Sequence, residues 1–69
     1  MDEELNMSVR KFLKQVGVTS QQAIEAAVRD ARENGTLPSG SMPAKVVLTI
    51  DGLNLTHEID GKIVTGDPS

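Results

Sequence analysis

Along the first quarter of the chain the large apolar residues are Leu5, Val9, Phe12, Leu13 and Val16, at offsets 0, 4, 7, 8 and 11. That spacing keeps them on one face of an α-helix and predicts a helix over about residues 3–16. Asp2, Glu3 and Glu4 at its start and Arg10, Lys11 and Lys14 toward its end suit the two poles of the helix dipole. Gly17 is suited to the left-handed position that closes a helix, with Val18 placed to touch Leu13. A second apolar set, Ile24, Ala27, Val28 and Ala31, recurs at offsets 0, 3, 4 and 7. Thr19 followed by Gln22 reads as a capping box. Together they predict a second helix over about 20–34, ended by Asn34-Gly35, with Glu25–Arg29 and Arg29–Glu33 as supporting i,i+4 pairs. The alanine-rich face of this helix suits close approach to a neighbour.

From residue 36 to 43 the pattern stops. Pro38, Gly40, Pro43 and two serines predict a flexible linker. Beyond it the period becomes two. Val46, Leu48 and Ile50 alternate in one run, and Leu53, Leu55, His57 and Ile59 in the next, with Asp51-Gly52 between them. Asp-Gly between alternating runs predicts a two-residue hairpin turn. Such a turn pairs Ile50 with Leu53, Leu48 with Leu55, Val46 with His57 and Ala44 with Ile59, and sets Lys45 opposite Glu58. Asp60-Gly61 reads as a second, bulged turn into a short third strand. The expected architecture is α+β: two helices (about 3–16 and 20–34) packed on a three-stranded antiparallel meander (about 44–50, 53–59 and 62–65). Residues 1–65 would be one domain and 66–69 a disordered tail.

Composition narrows the function classes. The 69 residues are 38% hydrophobic with one aromatic, Phe12. So small a core leaves little room for a deep pocket and favours binding at a surface. Without cysteine there is no disulfide scaffold and no thiolate chemistry. No apolar run approaches the roughly 20 residues of a membrane span, and the opening Met-Asp-Glu-Glu is unlike a secretory signal. The expectation is a cytoplasmic protein with no membrane association. Ten acidic against seven basic residues give a net charge of −3, which argues against broad phosphate contact.

The block Asn6-Met7-Ser8-Val9-Arg10-Lys11-Phe12-Leu13-Lys14-Gln15-Val16-Gly17-Val18-Thr19-Ser20-Gln21 resembles the opening of a family of small, mostly proteobacterial proteins of unknown function. The Ile50–Leu53 turn and the second Asp-Gly at Asp60-Gly61 fit the same resemblance, which runs over about residues 6–64. It implies a bacterial cytoplasmic protein that is a whole gene product. It carries over no activity, cofactor or functional residue.

The candidate chemistry is sparse. His57 and Glu58 are adjacent in a strand and point to opposite faces, so they do not form an acid–base pair. His57 reads as a partly buried structural residue. Asp51, His57, Glu58 and Asp60 lack zinc or calcium spacing. No enzyme, metal or cofactor is expected. Two binding readings remain. The favoured one is a protein-interaction or regulatory module, through self-association or a protein partner, using the β-edge residues Lys45, Val47 and Thr49. The alternative is nucleic-acid binding through a helix-turn-helix-like pair about Gly17. Arg10, Lys11, Lys14, Gln21, Arg29 and Arg32 would then meet nucleic acid, or else an acidic partner.

Overall fold

The structure, a computed structural model, describes residues 2–65, and the expected tail over 66–69 lies outside the described residues. The chain divides between Leu37 and Pro38 into two units, one helical and one a β-ribbon.

The first unit is a single α-helix, α1, from Glu3 to Asn34. At about 1.5 Å per residue it is about 48 Å long. Asp2 caps its start, its carboxylate accepting from the Leu5 N–H at 2.7 Å. Gly35, at φ 72°, closes its end. The Thr36 N–H reaches back to the Ala31 carbonyl at 2.8 Å and the Gly35 N–H to that of Arg32 at 3.3 Å, a Schellman ending. The end at Asn34-Gly35 is where the sequence places it.

The expected break at Gly17-Val18-Thr19 is absent, because α1 runs straight through it. Gly17 is not among the residues of positive φ. The Thr19 hydroxyl caps nothing and donates to the Gln15 carbonyl one turn back at 2.7 Å. A glycine in a helix interior costs about 1 kcal/mol relative to alanine. Ending the helix there would forgo several backbone hydrogen bonds and require a second costly nucleation. The continuation is also consistent with the apolar pattern. At roughly 100° per residue, Leu5, Val9, Phe12, Leu13, Val16, Ala23, Ile24, Ala27, Val28 and Ala31 share an arc of about 160°. The two expected faces are one stripe. A Cβ added at Gly17 meets nothing within 4 Å, so Gly17→Ala should stabilise α1 by about 1 kcal/mol. Thermal unfolding followed by circular dichroism measures this. A destabilised variant would mean that residue 17 leaves the helix.

The second unit is a two-stranded antiparallel ribbon, not a three-stranded meander: β1 spans Ser41–Ile50 and β2 spans Leu55–Val64. Ser41–Pro43, expected in the linker, belong to β1. Asp60-Gly61, expected as a turn, lies inside β2 opposite Lys45 and Ala44. The expected third strand is therefore the far end of the second. The register also differs. Asp51–Leu53 form a 3-10 turn and Asn54 takes the left-handed conformation at φ 50°, so four residues rather than two connect the strands. Ile50 pairs with Leu55, Leu48 with His57, Val46 with Ile59 and Met42 with Ile63. The shift is by two residues, so every side chain that remains in a strand keeps its predicted face, while Leu53 and Asn54 pass into the turn. The longer turn brings more large apolar side chains opposite one another, and needs positive φ only at an asparagine, which tolerates it.

No described residue is buried. In the ribbon the partly buried strand residues, Met42, Ala44, Leu48 and Ile63, all lie on the apolar face. In α1 they are Asn6, Val16, Val28 and Ala31, on or beside the stripe.

Candidate interaction surface

The helix presents two unlike sides. The apolar side carries Phe12 at 48% exposure, with Leu5, Leu13 and Ile24 similarly open. The other side gathers all six cationic or amide candidates, Arg10, Lys11, Lys14, Gln21, Arg29 and Arg32, within an arc of about 100° at roughly 100° per residue. They do not form one continuous patch. Arg10, Lys11 and Lys14 line an open surface depression with Glu4, Met7 and Ser8. Arg29 and Arg32 line another with Glu25, Ile24 and Val28. About 22 Å of helix separates Lys14 from Arg29 at 1.5 Å per residue. The amide of Gln21 is engaged in between, donating to the Glu25 carboxylate at 3.1 Å. Glu25 thus meets Gln21 rather than the expected Arg29. Because α1 is continuous, there is no turn at Gly17 to set one helix across another, and the helix-turn-helix geometry is lost.

The ribbon also has two faces. Its apolar face holds Met42, Ala44, Val46, Leu48 and Ile50 of β1 with Leu55, His57, Ile59, Gly61 and Ile63 of β2. His57 stands opposite Leu48 on this face and is exposed rather than partly buried as expected, because nothing covers the ribbon's apolar face among the described residues. The other face holds Lys45, Val47 and Thr49, the predicted edge residues of β1, and Thr56, Glu58, Asp60 and Lys62 of β2. Lys45 faces Asp60 in the register but reaches diagonally to Glu58, Nζ to Oε1 at 3.2 Å. The expected Lys45–Glu58 pairing is therefore present across a different register. Both side chains are half-exposed, so the bridge is worth well under 1 kcal/mol. Val47 is 55% exposed.

The hydrogen-bond phase of the ribbon fixes what its edges offer. The Thr65 N–H donates to the Gly40 carbonyl at 2.8 Å, directly continuing the register. Gly40 and Thr65 thus occupy a hydrogen-bonding position. In an antiparallel ladder such positions alternate with ones whose backbone groups face outward. The outward-facing residues are then Ser41, Pro43, Lys45, Val47 and Thr49 on β1, and Thr56, Glu58, Asp60, Lys62 and Val64 on β2. Pro43 sits where its missing N–H removes no rung of the ladder, but it interrupts the row of donors on the outer edge of β1. The outer edge of β2 is uninterrupted. Sequence reasoning missed this edge because it read Asp60-Gly61 as a turn. The signal was present in Pro43, which marks the other strand as the poorer edge.

Among the described residues, no three of His, Cys, Asp or Glu gather to hold a metal ion, and no helix is long and apolar enough to cross a membrane. No curated protein and no solved structure matches the chain. A family model does, over residues 1–66, under the description "Family of unknown function (DUF6494)". With nearly the whole sequence matched, the chain belongs to that family.

Proposed function

We propose that this protein is a non-enzymatic interaction module that works by associating with other copies of itself. The observation that carries the reading is the coincidence of aligned apolar surface with the lack of any buried described residue. An isolated helix draws most of its stability in a protein from packing of its apolar face. An isolated two-stranded ribbon is marginal in water. Both units therefore gain stability when protein surface covers their apolar faces. Phe12, the single aromatic residue, lies on the stripe as its largest side chain, the kind of group that dominates protein contacts.

Sedimentation and circular dichroism over a series of chain concentrations test this. The helical signal and the unfolding midpoint should rise with concentration as larger species form. Phe12→Glu with Leu13→Glu should weaken the assembly at least tenfold, since each change removes a buried anchor worth about 1.5–3 kcal/mol. A chain that stays monomeric and unfolds with a concentration-independent midpoint overturns the reading.

A further inference from the structure

We propose that the outer edge of β2 is a self-pairing edge. Two copies join antiparallel through β2, about a two-fold axis at Gly61, into one four-stranded sheet. This rests on the reading above that the chain associates with its own kind, and it specifies where and in what register.

Three observations converge. The first is edge asymmetry. Pro43 deprives the outer edge of β1 of a donor, whereas Thr56, Glu58, Asp60, Lys62 and Val64 of β2 turn a complete row of backbone groups outward. Such an edge is a template for another strand.

The second is charge. With the axis at Gly61, Asp60 stands opposite the partner's Lys62, and Lys62 opposite the partner's Asp60. Ile59 faces the partner's Ile63 on the apolar side, and the symmetry repeats that pair. Neighbouring registers are poorer because each opposes like charges. An axis at Asp60 also gives two opposite-charge pairs, Glu58 with the partner's Lys62, but it opposes Asp60 to the partner's Asp60 and sets Ile59 against Gly61. One at Ile59 sets Glu58 against the partner's Asp60, and one at Lys62 opposes two lysines. Opposed like charges destabilise a cross-strand pair and opposite charges stabilise it. A two-fold interface must be self-complementary, and this strand is so about Gly61.

The third is the need it meets. The ribbon's apolar face lies on two strands, and three or more are needed for an independently stable sheet. Pairing through β2 keeps both apolar faces on one side.

Two experiments on the full chain test the proposal. The chain has no cysteine, so Gly61→Cys reports on its own position. In this register residue 61 is a non-hydrogen-bonded pair with its mate, about 4.5 Å apart between Cα atoms and within disulfide range. A Cβ there meets nothing within 4 Å. Mild oxidation should give a disulfide-linked dimer. Thr56→Cys, about 33 Å from its mate at roughly 3.3 Å per residue, should not cross-link.

The second experiment reverses charge. Lys62→Glu alone and Asp60→Lys alone should each weaken self-association roughly tenfold, from two altered cross-strand pairs. Asp60→Lys also faces Lys45 within its own ribbon, so the readout is recovery on mixing: an equimolar mixture of the two variants restores both pairings between copies and should associate roughly tenfold more tightly than either variant alone. Equal cross-linking at positions 56 and 61, or no rescue on mixing, overturns the proposal. If Phe12→Glu with Leu13→Glu still disperses the assembly in that case, association stands and only the β2 edge is lost as its site. A chain monomeric at every concentration overturns both readings.

Discussion

Replacing Ser20 with proline should break α1 and cost about 3 kcal/mol or more. In a continuous α-helix the Ser20 N–H bonds to the Val16 carbonyl. Proline removes that bond and drives its ring against the same carbonyl. The substitution separates two descriptions of one sequence. If Thr19 were an N-cap, residue 20 would be the first helical position, where proline is tolerated and even favoured. In the structure, position 20 lies in the interior of a 32-residue helix. Far-ultraviolet circular dichroism should show a large loss of helical signal and a lowered unfolding midpoint. An unchanged spectrum would restore the two-helix description. Gly17→Ala tests the same point with the opposite sign, so the pair distinguishes a continuous helix from a generally fragile one.

Asn54→Val should displace the ribbon's register by two residues. Asn54 sits at φ 50°, which a β-branched side chain tolerates poorly. The left-handed conformation costs a non-glycine residue roughly 1–2 kcal/mol, with asparagine among the least penalised. A ribbon with no buried residue has little stability in hand to oppose that strain. The competing connection is a two-residue turn at Asp51-Gly52, which pairs Ile50 with Leu53 and leaves every side chain on its present face. Cross-strand Hα–Hα contacts report the change. Thr49 faces Thr56 and Val47 faces Glu58 in the unaltered chain. In the variant Thr49 should face residue 54, and Val47 should face Thr56. Gly52→Ala is the counterpart. Gly52 has no positive φ and open space around it, so alanine should be neutral or stabilising by a few tenths of a kcal/mol. In a two-residue turn the same change would be destabilising. Retention of the Thr49–Thr56 contact in Asn54→Val would mean that the ladder, not the turn, holds the register.

Both predictions lie where local signals and the structure part. The glycine and capping box at residues 17–22, and the Asp-Gly pairs at 51–52 and 60–61, are local preferences worth about 1 kcal/mol each. Against them stand cooperative terms: a helix that propagates once formed, and a ladder that gains a rung for each residue it continues. Where a glycine can adopt helical or extended geometry, as Gly17 and Gly61 do, the cooperative term prevails. Gly35 is the contrast. Pro38 follows within three residues, so the helix has little to gain by going on, and the local signal holds.

The candidate surface was legible to a similar degree. The helix dipole points to Arg10, Lys11 and Lys14, whereas Gln21, Arg29 and Arg32 enter only with the helix-turn-helix reading that the continuous helix removes. Their distribution into two clusters along one polar side follows only from helix continuity. The expected edge residues of β1, Lys45, Val47 and Thr49, lie on the polar face of the ribbon with their backbone groups turned outward. The better edge, β2, was hidden because its length depends on residues 60–61 staying extended.

Periodicity alone carries the facing of side chains and the order of the two kinds of structure. The chain is helical and then β; Leu5 to Ala31 share a side, and Val46, Leu48, Ile50, Leu55 and Ile59 share a face. The α1 end at Gly35 and the Lys45–Glu58 pair were legible too. These features survive because a shift of two residues in a strand, or the fusion of two helices in phase, leaves side-chain facing unchanged. The number of elements, the register and the uninterrupted strand edge emerge only in the folded chain. Those depend on how far hydrogen-bonded order extends through a glycine, a property of the whole element rather than of any short window within it.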